Sequence, residues 1–404
     1  MNAPSPNARR LTARWVIPVE GDPIPWGVVK IQNGRIEAVE TEGAAQAEEN
    51  LGQTILLPGL VNVHTHLDLS DYPASQNGII DFIPWLDSVI AHRLSQSPEQ
   101  KRLAIQKGIE ESLRGGVALV GDISSHGDSF PLLQNSPLYS RVYFELIGLT
   151  RSRSEECWKQ FASWIHSNQG TEKTGHGISP HAPYSVHKEA FLRAGKTGLP
   201  TQVHLGESLV EMELLAKQVG LLEKWLAQKG LLDKEALCDS MSGILRDLSG
   251  SRLLVVVHGT RLDFELLPSG YLAICPRTQA RFEQGELPLL AACRNGWKVA
   301  LGTDGLSSAP DLNVLNEARL VRKNFPEFPV QDLLRAITLN GAEQLGFAEK
   351  LGSITPGKTA TFSCFPIPPD THPGPLEFLF GSSVPCSGLM IDGKWIFQNS
   401  FPNE

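Results

Sequence analysis

The chain has 404 residues, 41% of them hydrophobic and 20% charged, with a formal net charge of -8. That length exceeds what a single compact core usually organises, so a large domain with a small companion is expected. The negative charge argues against a general affinity for nucleic acid or acidic membranes, and no apolar run is long enough to span a bilayer.

The N-terminal MNAPSPNARRLTARW has two adjacent arginines with no apolar stretch behind them, so it does not read as a secretory signal, and its first few residues are expected to be a loose tail. In GVVKIQNGRIEAVE, an Asn-Gly flanked by β-branched residues predicts a hairpin. Eight β-rich runs follow: LLPGLVNVHTH from Leu56, VALVGDIS from Val117, RVYFELIG from Arg141, HGISPHAPYSV from His176, TQVHLGES from Thr201, LLVVVHGT from Leu253, LAICPRT from Leu272 and VALGTDGL from Val299. Nearly continuous Val, Ile and Leu is the pattern of parallel strands buried on both faces. With helices between them, eight such strands predict an α/β fold, a (β/α)8 TIM barrel. SPEQKRLAIQKGIEESLRGG carries the signals of one linking helix, a Ser-Pro start and a Gly-Gly stop. The stretch from Glu207 to about Gly250 is longer than one helix needs and predicts a helical insertion beside the barrel mouth. From about Gly352, GLMIDGKWIFQN predicts a second hairpin. The expected organisation is a barrel over 57–350 and a small β-sandwich-like domain assembled from 1–56 and 351–404. Cys157, Cys238, Cys275, Cys293, Cys364 and Cys386 are scattered without a CxxC pair, as reduced thiols of a cytoplasmic protein would be.

Reacting groups of such a barrel lie at the C-terminal ends of its strands. His64 and His66 stand two apart where the first strand ends, so both imidazoles share a face and can bind one metal. His204 ends the fifth strand, His258 the sixth and Asp304 the eighth. A nitrogen-rich site of such histidines with one carboxylate suits a divalent ion, zinc or iron, with a position open for water. The ion lowers the pKa of that water, and Asp304 beside it can also accept a proton. Glu207, three residues after His204, can face the substrate and protonate a ring nitrogen or leaving group. A glutamate stabilised by a helix N-terminus is the alternative, and the sequence does not choose between the two. Phe82, Trp85 and Arg93 are placed near the barrel mouth, where the aromatics could stack on a substrate and Arg93 could reach a carboxylate. The i, i+3, i+4, i+7 spacing of Phe82, Trp85, Leu86 and Val89 equally suits plain helix packing.

Taken in order, HTH, SPHAPYSV, HLGES, VVVHG and LGTDG closely resemble the amidohydrolase superfamily, in its nucleoside and nucleobase deaminase and chlorohydrolase branch. The resemblance runs from about Leu56 to Lys358 and includes TLNGAEQLGF and GSITPGK. It implies that His64, His66, His204 and Asp304 bind one zinc or iron, that Glu207 shuttles protons to the ring, that His258 helps hold the attacking water, and that His181 contacts the substrate. Relatives with two metals carry a bridging lysine or glutamate on the fourth strand. This chain has Pro180 and His181 there, and Glu145 lies on the third strand, so one metal is expected. HTHLDLSDY and DFIPWLDSVIAHR look like aminodeoxyfutalosine deaminases of the futalosine route to menaquinone. Departures from that pattern are Asp68 for glutamate, Gly206 for alanine, Gly305 for serine and Thr361 for aspartate. The activity implied is hydrolytic deamination of an adenine nucleoside derivative, 6-amino-6-deoxyfutalosine first. The alternatives are adenosylhomocysteine, methylthioadenosine or guanine deamination, or chlorohydrolase or amide hydrolase chemistry. A small-molecule substrate is the expected partner, and such relatives commonly form a homodimer.

Overall fold

The computed structural model describes residues 8–73, 78–282, 285–369 and 374–399; the tail expected at the N-terminus lies largely outside them. Eight strands form one parallel sheet: β1 (Leu60–Thr65), β2 (Val117–Ser125), β3 (Tyr139–Leu146), β4 (Thr174–Pro180), β5 (Thr201–Leu205), β6 (Leu254–His258), β7 (Tyr271–Ile274) and β8 (Lys298–Leu301). Each is hydrogen-bonded to its neighbours in chain order. A parallel bridge between Thr65 and Asp304 brings the last strand back to the first, and the N–H groups of Thr303 and Asp304 both donate to the His64 carbonyl at 3.1 Å. This is the (β/α)8 barrel. Its strands are buried along nearly their whole length, which is why they read as apolar runs rather than as alternation.

The first run divides differently from the expectation. Thr54–Pro58 belongs to another sheet, and only Leu60–Thr65 joins the barrel. An apolar run buried on both sides carries no periodicity to mark such a break.

By contact density the chain separates into two units, one of 1–62, 110–120 and 313–404, the other of 63–109 and 121–312. The first holds the terminal sheets. A four-stranded sheet is built from Ala8–Thr12, Val28–Gln32, Arg35–Glu40 and Glu49–Asn50. A six-stranded one joins Trp15–Val16, Ile24–Pro25 and Thr54–Pro58 to Phe362–Pro366, Gly388–Ile391 and Lys394–Gln398 from the other end of the chain. Leu11, Val29 and Ile31 from one sheet share a buried cluster with Leu56, Phe362 and Met390 from the other. Both predicted hairpins are present. Gln32 pairs with Arg35 around Asn33 and Gly34, and Ile391 with Lys394 around Asp392 and Gly393; all four turn residues have positive φ, as the two-residue turn requires.

Helix α1 (Phe82–Ser95) follows β1, and α2 (Pro98–Arg114) precedes β2. The stretch after β5 is an insertion of α3 (Leu209–Lys217), α4 (Leu221–Gln228) and α5 (Met241–Asp247). Leu214, Leu222, Trp225 and Leu226 of this insertion form one apolar cluster with Phe82, Leu86 and Tyr184. That burial holds the insertion against α1. Among the described residues, no helix is long and apolar enough to cross a membrane.

Candidate active site

The strand ends bring His64, His66, His204, His258 and Asp304 together, all buried. The His64 ring centroid lies 5.1 Å from that of His66, 4.9 Å from His204 and 6.0 Å from His258. The Oδ1 of Asp304 is 3.4 Å from Nε2 of His66 and 3.7 Å from Nε2 of His64. Two overlapping groups, His64/His66/Asp304 and His64/His204/His258, each have ligand atoms within 4.8 Å of one another. The set expected from sequence spans both. The close approach of the strand ends has a local cause: a Cβ on Gly302 would lie 2.7 Å from the His64 carbonyl oxygen, so only glycine lets the end of β8 pass β1 this tightly. His258 and Asp304 have φ of 67° and 59°, left-handed values that cost a non-glycine residue strain and recur where side chains must be aimed.

The residues present fit a metal. His64 donates its Nδ1–H to the Gln202 Oε1 at 2.8 Å, while Gln202 Nε2 donates to the Val63 carbonyl at 2.9 Å. That leaves the His64 Nε2 buried with no hydrogen-bond partner. Such an orphan costs about 1–3 kcal/mol unless something else satisfies it. His204 donates its Nδ1–H to the His181 carbonyl at 3.0 Å, which likewise frees Nε2. Burial pushes the His66 imidazole down to about 3 and His258 to about 4, and holds His204 well below the usual range, so these rings are neutral, the ligating form. Burial alone would raise Asp304, but His64, His66 and His258 outweigh it and keep the carboxylate ionised. Its Oδ2 accepts from Ser308 Oγ at 2.7 Å and from Thr278 Oγ1 at 3.3 Å. Replacing Gln202 by leucine is expected to weaken the binding of a divalent metal about 10- to 100-fold by releasing the His64 ring. Competition against a chromogenic chelator measures this, and unchanged affinity would remove Gln202 from the support of the site.

Glu207 lies just past β5, buried, with Oε1 3.6 Å from Nε2 of His258. Burial first, then the nearby Asp304 and Glu211 carboxylates, hold its carboxyl well above the ordinary glutamate range. Burial therefore favours its protonated form beside the histidine cluster.

A cavity of about 270 Å³ opens over these groups, lined by His66, His204, Glu207, His258 and Asp304 at its floor. Trp85, Tyr184 and Trp225 supply aromatic wall. Trp85 is fixed by its Nε1–H, which donates to the Ser307 carbonyl at 3.2 Å. His181 lines the cavity too and is oriented through a 2.7 Å contact between Nδ1 and the Ser185 hydroxyl. Phe82 is not among the described lining residues; it packs behind the wall on Trp85, Tyr184 and Phe282. Arg93 lines the cavity with its guanidinium already held between two buried carboxylates, 3.0 Å from Asp68 Oδ2 and 3.0 Å from Glu145 Oε2. Arg153, exposed at the rim and shared with an adjoining cavity that also includes Glu145 and Ile147, pairs with no carboxylate among the described residues.

Gln202, Arg153, Thr278, Ser308 and Glu211 lie outside the set of site residues expected from the sequence. Gln202 had a readable signal, because it stands two before His204 on one strand and so shares its inward face. Arg153 had none, since only the folded helix brings it to the rim.

The model of the Amidohydrolase family matches residues 55–396. An aminodeoxyfutalosine deaminase of Nitratiruptor sp. is 29% identical over 359 residues, covering 83% of this chain and 86% of that protein. A 5-methylthioadenosine/S-adenosylhomocysteine deaminase of Moorella thermoacetica is 27% identical over 377 residues, covering 85% and 82%. The crystal structure of Helicobacter pylori aminofutalosine deaminase with methylthio-coformycin superposes with a TM-score of 0.83 at 23% identity, covering 96% of this chain and 100% of that one, a likeness of fold.

Proposed function

The chain belongs to the amidohydrolase family, and from that premise we propose that it is a metal-dependent hydrolase that deaminates an adenine nucleoside, with 6-amino-6-deoxyfutalosine as its substrate. The observation that carries the deaminase reading is Glu207: a buried carboxyl 3.6 Å from His258, sharing one cavity with His66, His204, His258 and Asp304, its pKa raised by that burial. His64, His66, His204 and Asp304 would hold one divalent ion, zinc by the chemistry of this donor set. When bound, the ion supplies the Lewis acidity that lets water ionise near neutral pH.

The other roles belong to the chain. Glu207 gives its proton to the ring nitrogen next to the carbon under attack, so that the ring accepts electrons as the C–O bond forms. His258, neutral and 3.6 Å from Glu207, orients the incoming water by a hydrogen bond. The ionised Asp304 accepts a proton from that water, which is passed on to the departing amine. Water adds, ammonia leaves, and the remaining proton of the added hydroxyl returns to Glu207 as the carbonyl of the hypoxanthine product forms. The aromatic wall of Trp85, Tyr184 and Trp225 excludes solvent and offers the purine flat surfaces.

The substrate proposal draws support from the deaminase of Nitratiruptor sp. and from Arg153. The 5′ extension of 6-amino-6-deoxyfutalosine ends in an aromatic carboxylate, which needs a cation at the rim. Arg93 is committed to Asp68 and Glu145, whereas Arg153 is free to meet an anion. The test is ammonia release on 6-amino-6-deoxyfutalosine, adenosylhomocysteine, methylthioadenosine, adenosine and guanine by wild type and Arg153→Met. The first substrate is expected to be preferred, and the variant to raise its KM about 10-fold, the effect of a partly solvated charged hydrogen bond, without touching methylthioadenosine. A preference for adenosylhomocysteine or methylthioadenosine would leave deamination standing and place the enzyme in the nucleoside-salvage reaction instead; turnover of none would overturn the substrate class.

A further inference from the structure

Four residues beyond Glu207, the side chain of Glu211 is buried in the first turn of α3. Its Oε1 accepts the Gly206 N–H at 3.0 Å and its Oε2 the Glu207 N–H at 2.8 Å. The Ser208 hydroxyl accepts the Glu211 N–H in turn, at 3.2 Å. Ser208-Leu209-Val210-Glu211 is a capping-box sequence, in which the glutamate ordinarily returns to the N–H of the cap residue itself. Here the carboxylate also reaches one and two residues further back, to the peptide groups that connect His204 to Glu207. No cation among the described residues pairs with it, so these N–H groups are what compensate its buried oxygens.

That placement matters because the segment lies in no element: apart from the Ser208 cap, its other hold is the Arg261 N–H, which donates to the Gly206 carbonyl at 3.0 Å. β5 ends at Leu205 and α3 begins at Leu209, and Gly206 between them has φ of 69°. Three residues in neither element carry the Glu207 side chain to the cavity, and a shift of a peptide plane there would swing its carboxyl. We infer that Glu211 is a positioning residue for the reaction: its two oxygens clamp consecutive backbone amides and so hold the Glu207 carboxyl against His258 and the cavity floor. This rests on the role of Glu207 in proton transfer. A glutamate that merely capped α3 would matter to stability and not to the rate of the chemical step.

The experiment is Glu211→Gln, in the metal-loaded full chain and again in a Glu207→Gln background, with ammonia release followed long enough to quantify the residual rate. The amide keeps the volume but offers one acceptor where the carboxylate offers two, leaving one backbone N–H opposed by an NH2. The expected result is a kcat lowered about 10- to 100-fold, the scale of a displacement of about 1 Å, with KM and metal stoichiometry near wild type. In the Glu207→Gln background the same change is expected to alter the rate by less than about 2-fold, because a residue that acts only through Glu207 has nothing left to position. A lowered Tm with unchanged kcat, or an equal fold-loss in both backgrounds, would overturn the proposal. Should Glu211→Gln fail to fold, Glu211→Asp keeps the charge but falls one methylene short of the amides, and the same two outcomes decide. Full activity of Glu207→Gln alone is a separate result, which removes Glu207 from the mechanism and not the clamp from the fold.

Discussion

Glu207→Gln is expected to lower kcat by about 10²- to 10⁴-fold, the range lost when a positioned proton donor is removed, while zinc content stays at one per chain. The substitution is nearly isosteric and keeps a hydrogen-bonding head group, so it deletes the exchangeable proton with little else. Its effect on stability has a defined sign. The folded-state pKa is raised, so the folded protein holds this proton more tightly than the unfolded chain, and stability falls as pH rises above the ordinary glutamate range. A neutral amide does not titrate, so near neutral pH the variant is expected to melt at the wild-type temperature or slightly above it. If Glu207 were only a helix N-terminal glutamate, the pattern would reverse: Tm would drop by the loss of a charge–dipole interaction of about 0.3–1 kcal/mol and turnover would survive. Steady-state ammonia release beside a thermal melt and a metal assay separates the two.

The barrel was legible because its physics leaves a mark in one dimension. Strands buried on both faces are largely apolar, so histidines near their C-terminal ends stand out, as His204 and His258 do, although Asn62, Asp122 and Gln202 are buried polar residues further inside. His64 and His66 were legible for a second reason, since alternation puts residues two apart on one face. The same physics hid other things. The run beginning at Leu56 crosses from one sheet into another without a change in hydropathy, because both strands are fully buried. The spacing of Phe82, Trp85, Leu86 and Val89 correctly marks the buried face of α1 but does not tell cavity from core: Trp85 meets the cavity and Phe82 the aromatic cluster behind it. Arg93 looked like a free cation beside the mouth because its two partners lie 25 and 52 residues away in sequence. Contacts of that kind, like the Gln202 hold on His64 across 138 residues, exist only once the barrel has closed.

Removing one proposed ligand, as in His66→Ala, is expected to abolish both zinc retention and turnover, and the comparison with Glu207→Gln is what gives the result its meaning. A ligand bound by the folded state alone stabilises it by RT ln(1 + [L]/Kd), about 4 kcal/mol when zinc is present at about 1,000 times its Kd. Wild type and Glu207→Gln should therefore show the same rise in Tm on adding zinc after chelation, one active and one not. His66→Ala should show almost none of it. The apo variant need not be less stable than apo wild type. The His66 ring is buried with a pKa pushed down to about 3, so the unfolded chain takes up that proton first as pH falls, and the ring's presence costs stability below the ordinary histidine range. Deleting it trades that acid-side cost for a cavity. A His66→Ala protein that still binds zinc with a wild-type rise in Tm would move the ligand set toward the other overlapping group, His64, His204 and His258. His258 would then be a ligand rather than the residue that orients water, and His258→Ala, expected on the present assignment to keep its zinc, would be the variant that loses it.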